Sequence, residues 1–150
     1  MSAESCTILL VEDDADDVLL IRRAFVKAGI HDSIEVVGDG EEAVDYLGGS
    51  GVYSVRERFP LPAIILLDLK LPRKSGFEVL EWIKAQPGLR RIPVVVLTGS
   101  EQRSDVNRAF DIGANSYLVK PVGFDALTGI LKTLNVYWLL LNQRPDPREG

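Results

Sequence analysis

Hydrophobic positions along this chain alternate between two patterns: short unbroken runs, and longer stretches in which apolar residues recur every three or four positions. The runs are Ile8-Leu9-Leu10-Val11, Ile34-Glu35-Val36-Val37, Ala63-Ile64-Ile65-Leu66-Leu67, Val94-Val95-Val96-Leu97 and Ser116-Tyr117-Leu118-Val119. Each predicts a strand, and runs this apolar belong to a parallel sheet covered on both faces. Helical stripes lie between them. Val18, Leu19, Ile21, Ala24, Phe25 and Ala28 form the first, with Asp14 or Asp16 placed to cap its start and Gly29 to stop it. A short helix from Gly40 to Leu47 turns Ala43, Val44 and Leu47 inward. A third runs from about Gly76 to Ala85 on Val79, Leu80 and Ile83, and ends at Pro87 and Gly88. The fourth lies near Asp105 to Ile112, before Gly113, and a long fifth begins near Phe124. Residues 48–62 break the rhythm with Gly48, Gly49, Gly51, Pro60 and Pro62; Tyr53, Val55 and Phe59 within them suit a turn of helix or a surface-covering loop.

Strand and helix therefore alternate five times. Right-handed crossovers turn this α/β pattern into a flavodoxin-like (βα)5 doubly wound sandwich, a parallel five-stranded sheet in the order 2-1-3-4-5. One domain is expected over 1–150, with a core at about 7–135, the last helix reaching about 142, and a loose tail at 143–150.

Composition narrows the class without naming it. The 150 residues are 46% hydrophobic and 26% charged, as in an ordinary soluble globule. No apolar run approaches the roughly 18–20 residues of a membrane-spanning helix. Met1-Ser2-Ala3-Glu4-Ser5 lacks the basic region of a secretory signal. The one cysteine, Cys6, forms no internal disulfide and is expected to open the first strand, which suits a cytoplasmic protein. A net charge of −5 disfavours direct DNA binding by this chain.

The chemistry stands where four of the runs stop. Strand one runs into Glu12-Asp13-Asp14, strand three into Asp68, strand four into Thr98 and strand five into Lys120. Open α/β sheets bind ligands at that carboxyl edge, and the 2-1-3-4-5 order brings Asp13 near Asp68. Unpaired, the charges of Glu12, Asp13 and Asp68 repel until protonation or a cation relieves them. Mg²⁺ suits an all-oxygen site. Asp13 and Asp68 are expected as direct ligands, Glu12 through water, and Lys70 through its backbone carbonyl. A carboxylate can attack phosphorus and form an acyl phosphate. Lys120 is then placed to pair with one phosphoryl oxygen and Thr98 to donate to another, while Gly99 leaves room for the group. Pro121 restricts the backbone behind the amine, and a cis bond before it is admissible. Singly these signals are weak, since acids at strand ends often cap helices. Their ordered arrival at four strand ends is specific.

Leu9-Leu10-Val11-Glu12-Asp13-Asp14, Leu66-Leu67-Asp68-Leu69-Lys70-Leu71-Pro72, Val96-Leu97-Thr98-Gly99 and Tyr117-Leu118-Val119-Lys120-Pro121 together resemble the receiver domain of two-component response regulators, over about residues 7–135. The resemblance implies that Asp68 is the phosphoacceptor for a sensor histidine kinase, that Thr98 and Tyr117 are the switch pair, and that Lys120 binds the phosphoryl group. Gly113-Ala114-Asn115-Ser116-Tyr117, the long loop before strand three and Tyr137-Trp138 are similar to regulators that serve phytochrome-type kinases, bacteriophytochromes among them. Glu12 stands where many receivers have Asp.

Other classes fit less well. An aspartyl phosphatase usually carries a second acid two residues after its nucleophile, where this chain has Lys70. A flavin or nucleotide carrier needs a glycine-rich phosphate loop, and Glu12-Asp13-Asp14 would repel a phosphate there. A phosphorylation-independent pseudo-receiver is the alternative, disfavoured because every expected site residue is present. Lys70 in the position of that second acid speaks against a turnover enzyme, and with no output domain in the sequence a two-domain DNA-binding regulator is not expected. Phe124, Leu127, Leu131, Leu134, Trp138 and Leu141 recur at helical spacing, and 136–141 is apolar throughout. One face suffices to pack on the sheet. The excess predicts a homodimer through the fourth helix, fifth strand and last helix, with Phe124, Leu127, Leu134, Tyr137, Trp138 and Leu141 at its interface. Ser100 and Lys70 flank the phosphate entry, Arg56-Glu57-Arg58 reads as a solvated patch, and the lone His31 in a turn carries no function.

Overall fold

The computed structural model describes residues 6–141. The expected tail at 143–150 and the side chain of Leu141 lie outside the described residues. Strands β1 (Thr7–Val11), β2 (Ser33–Val37), β3 (Ile64–Leu67), β4 (Val94–Thr98) and β5 (Ser116–Val119) alternate with helices α1 (Ala15–Lys27), α2 (Gly40–Gly48), α3 (Gly76–Ala85), α4 (Arg103–Ile112) and α5 (Phe124–Leu134). All pairings are parallel, in the order β2-β1-β3-β4-β5. The flavodoxin-like sandwich read from the sequence is the fold observed.

The period of two along each strand builds two cores. Leu9 and Val11 of β1, with Ile65, Leu67, Val94 and Val96, point towards α2, α3 and α4. Ile8 and Leu10, with Ile64, Leu66, Val95 and Leu97, point towards α1 and α5. Each helix contributes its apolar stripe: Ile21, Ala24 and Phe25 from α1, Val79, Leu80 and Ile83 from α3, Leu127, Leu131 and Leu134 from α5. Leu19, read as part of the α1 stripe, is instead exposed, because the buried arc of that helix is centred on Ile21 and Phe25. Cys6 lies just before β1 and packs half-buried against the α1/α5 core.

The ends of the elements follow their local chemistry. Of the two candidate caps for α1, Asp14 takes the role, accepting from the backbone amides of Asp16 and Asp17. Ser75 and Glu78 close a reciprocal capping box at α3. The long connection 48–62 holds a 3₁₀ turn at Gly51–Ser54 and covers the core with Tyr53 and Phe59. The last helix does not stay α to its end: beyond α5 it widens into a π-helix over Asn135–Leu141. No helix among the described residues is long and apolar enough to cross a membrane.

Candidate functional site

Glu12, Asp68, Thr98 and Lys120 sit where their strands stop. The Glu12 amide donates to the Val37 carbonyl at 3.0 Å and the Asp68 amide to the Val11 carbonyl at 3.1 Å, so both acids are held on the sheet ladder itself. Carboxylate oxygens of Glu12, Asp13 and Asp68 lie within 4.8 Å of one another. Glu12 and Asp68 are buried while Asp13 is exposed, so the cluster is open on one side. The loop beyond Asp68 is braced by close backbone approach. A Cβ at Gly76 would collide with the Asp68 carbonyl, and one at Gly40 with the Lys74 carbonyl. Arg73, in the left-handed region at φ 69°, reaches Asp39 at 3.4 Å and Glu41 at 3.5 Å.

Lys120 enters from β5. Its amide donates to the Thr98 carbonyl at 2.7 Å, which fixes the side chain's origin beside β4. Its Nζ donates to Glu12 Oε1 at 2.6 Å, Asp17 Oδ2 at 2.9 Å and Asp68 Oδ2 at 3.3 Å. Burial opposes the ammonium charge, but the bonds to Glu12 and Asp17 and the field of Asp68 outweigh it and hold its pKa above the lysine range. Glu12 is raised, chiefly because burial disfavours its charge; the bonds from Lys120 and the Asp14 amide offset part of this, and Asp68 adds repulsion. Crowding of the acids is therefore relieved in part from within the protein, by Lys120, which the acid-only argument had left to a cation or a proton.

Thr98 is fully buried, and its Oγ1 has no hydrogen-bond partner among the described residues. An unsatisfied buried hydroxyl costs about 1–3 kcal/mol. It stands at the end of β4, the strand paired with the one that delivers Asp68. An orphaned donor beside an acceptor carboxylate, an ammonium opposite and three oxygen ligands together fit a phosphoryl group held with a hard divalent cation. Adding a Cβ at Gly99 would meet nothing within 4 Å, so the approach is open there.

Tyr117 is half-buried on β5 and donates to the Ser100 carbonyl at 3.0 Å; burial, ahead of the charges of Asp105 and Asp68, raises its pKa. Ser100 is buried rather than set at an open entry. Its hydroxyl donates to Asp105 Oδ2 at 2.6 Å and accepts from the Gln102 amide at 3.3 Å, which ties the β4–α4 loop to α4. Lys70 extends to solvent, and its amide donates to Asp68 Oδ1 at 3.4 Å. No cis peptide occurs among the described residues, so the bond before Pro121 is trans and the admissible cis geometry is not adopted.

The proposed interface residues divide. Leu127 and Leu134 are each only 8% exposed and belong to the α1/α5 core, which leaves them little surface to offer a second copy. Phe124 and Trp138 are half-buried against the same core, and Tyr137 is exposed. A cleft of about 290 Å³ opens between β5 and the last helix, with Leu118, Ile130, Tyr137 and Trp138 among its walls.

Two residues escaped the sequence reading. Asp17 is a further partner of Lys120, and only the packing of α1 against the site could reveal it. Arg56, read as a solvated charge, donates to the carbonyls of Tyr46, Leu47 and Phe59 at 2.7, 2.8 and 3.2 Å. The carbonyls of Tyr46 and Leu47 belong to the last turn of α2, where a cation is favoured.

Comparison with known proteins agrees with this geometry. The response regulator receiver domain model matches residues 8–132. The probable methanogenesis regulatory protein FilR2 of Methanothrix harundinacea is 43% identical over 93% of this chain and 88% of its own length. Response regulator Rcp1 of Synechocystis is 39% identical over 88% of each chain. Its Mn(2+)-bound crystal structure superposes with a TM-score of 0.83 at 38% identity, covering 93% of this chain and 99% of that one. The phosphorylated cyanobacterial phytochrome response regulator RcpA gives a TM-score of 0.88 at 38% identity, over 95% and 99% of the two chains. With Asp68 one of a three-acid cluster and bonded to an anchored lysine, the chain belongs to the response regulator receiver family, a phosphoacceptor rather than a turnover enzyme.

Proposed function

We propose that Asp68 accepts a phosphoryl group from the phosphohistidine of a sensor kinase, with Mg²⁺ bound, and that the α4–β5–α5 face reports the change. One Asp68 oxygen attacks phosphorus while the P–N bond of the donor imidazole breaks. The nitrogen keeps the electron pair, and the product is an acyl phosphate on Asp68. Water later attacks phosphorus, which releases inorganic phosphate and restores the carboxylate. Asp13 and Asp68, with Glu12 and the Lys70 carbonyl, would hold Mg²⁺, which when bound would supply charge neutralisation. Lys120 transfers its ammonium from carboxylates to a phosphoryl oxygen. Thr98 donates its orphaned hydroxyl to another, and in turning leaves space that Tyr117 fills. The phosphoryl group shifts this equilibrium only by its differential affinity for the two arrangements.

The observation that carries this reading is the unpartnered Thr98 hydroxyl at the edge where Lys120 meets Asp68. With Mg²⁺ and a small acyl phosphate donor, the chain is expected to gain one hydroxylamine-labile phosphate, absent in Asp68→Asn. Labelling that survives in Asp68→Asn, or none in the native chain, rejects the assignment.

The finer reading follows the relatives. Likeness to Rcp1 and to the phytochrome regulator RcpA supports a phytochrome-type kinase as donor. FilR2 bears a methanogenesis name, so relatives of this chain serve more than one process. Exposed Phe110, Val136 and Tyr137, with the cleft beside β5, support pairing of two copies through α4, β5 and the last helix.

A further inference from the structure

Lys120 is bound by one carboxylate more than the phosphoryl chemistry uses. Glu12 and Asp68 belong to the three-acid cluster, and Asp17 does not. It lies in the first turn of α1, where its amide donates to the capping Asp14 Oδ1 at 3.1 Å, so its backbone is fixed by the cap. Its Oδ2 meets Lys120 Nζ at 2.9 Å. Side-chain exposure grades outward across the ammonium's partners: 2% for Glu12, 9% for Asp68 and 37% for Asp17. The amine is suspended between an inner pair and an outer acid.

This arrangement answers a competition. The two inner carboxylates that hold Lys120 are two of the three that a divalent cation would share. An ammonium resting on Glu12 and Asp68 alone would occupy them and oppose the ion directly. An acid at the rim draws the charge outward and gives it a partner when the inner oxygens are claimed.

We propose that Asp17 is a positioning residue for Lys120. It leans the ammonium away from the inner carboxylates, keeps them open to the cation, and holds the amine paired until a phosphoryl oxygen receives it. The last step rests on the phosphoacceptor reading of Asp68; the effect on the cation does not.

The test is Mg²⁺ binding to the full chain by titration calorimetry, in Asp17→Asn, Asp17→Glu and Asp16→Asn, with the first and last repeated in a Lys120→Met background. Asp16 is the control, since it carries the same charge one residue away and faces solvent. Asp17→Asn is expected to weaken Mg²⁺ binding about threefold or more, within the range of coupling energies inside one network. Asp16→Asn weakens it less, and Asp17→Glu restores part of the loss. Without the lysine, the effect of Asp17→Asn falls to the size of Asp16→Asn. Equal losses from both asparagine variants, or an undiminished loss in Lys120→Met, overturn the proposal in favour of a plain charge effect. If Lys120→Met does not fold, Lys120→Arg takes its place, and its wider fork is expected to alter the Asp17 effect rather than copy it. Should these dependences hold while Asp68 takes up no phosphate, the phosphoacceptor reading fails and the Asp17 assignment stands.

Discussion

The two flanks of the sheet are held in different ways. On the α2 side, Tyr46, Tyr53 and Phe59 pack with ring centroids 4.9–6.0 Å apart. Their polar ends are also bonded. The Tyr46 hydroxyl donates to the Pro60 carbonyl at 2.8 Å, the Tyr53 hydroxyl donates to Glu42 Oε2 at 2.8 Å, and Arg56 donates to the carbonyls at the end of α2. Both edge strands are only partly covered, β5 half-buried throughout and β2 buried only at Val37, so the difference lies in what packs over each. Tyr117 is fastened by a bond to one carbonyl, and Phe110, Val136 and Tyr137 are exposed. The site straddles this contrast. The acids are delivered by β1 and β3, and Thr98 and Lys120, the groups proposed to answer a phosphoryl oxygen, by β4 and β5. On the proposed reading the better-bonded flank would fix the acceptor and the other would take a second arrangement, as elements that move are drawn from the less stable parts of a fold.

The largest effect that would break this contrast lies on the stiff flank. Tyr46 is 1% exposed, and replacing it with alanine removes a buried ring and the lock on the 48–62 connection. Tyr46→Ala is expected to lower unfolding free energy by about 3–5 kcal/mol in a denaturant titration. The phenol also has a pH signature. Burial pushes it up to about 12, above its ordinary value of about 10. Its neutral form is therefore fully favoured below about pH 10, and its contribution is lost as pH rises through about 12. Tyr46→Phe should soften that alkaline decline while lowering stability at neutral pH by about 1 kcal/mol. A loss near zero for the alanine variant would mean that this flank is not the stiff one.

Thr98 gives the next effect, with the opposite sign. Valine matches its shape and removes a hydroxyl that has no partner among the described residues. Thr98→Val is expected to stabilise the phosphate-free protein by about 1 kcal/mol, because burying an unpaired hydroxyl costs about 1–3 kcal/mol. It should also uncouple Tyr117 from phosphorylation, read by tyrosine ring NMR signals with and without a phosphoryl mimic. A residue kept for function at the expense of stability marks the site. Destabilisation by valine would show that the hydroxyl is satisfied in solution.

The strands and their terminal residues were legible in sequence because a buried parallel strand is a run, and the polar residue that ends it has one place to go. Asp68, Thr98 and Lys120 could be read from position alone. What stayed hidden depended on how helices approach one another. Asp17 is one acid among several in the Glu12–Asp17 stretch, and nothing local distinguishes it from Asp16. Arg56 resembled a solvated charge because its partners are backbone carbonyls, which leave no trace in residue type. Leu127 and Leu134 share helical spacing with Tyr137, but which part of a wide apolar face meets the sheet is set by the packing of α5 against α1, and both leucines went inward.

The smallest effect on stability sharpens the comparison most. Tyr137 is 54% exposed and packs edge-on against Trp138 at 5.0 Å. Beyond that ring contact it gives the monomer little, so Tyr137→Ala is expected to cost no more than about 0.5–1 kcal/mol. Association is a different matter, since an exposed aromatic beside an apolar cleft is the kind of anchor that dominates an interface. Sedimentation at micromolar concentration, with and without a phosphoryl mimic, should show two copies of the native chain associating and Tyr137→Ala dissociating them. A native chain that stays monomeric under both conditions removes the dimer. A variant that unfolds more easily by several kcal/mol would instead show that Tyr137 is part of the domain's own packing, and that the β5 flank is firmer than its exposure suggests.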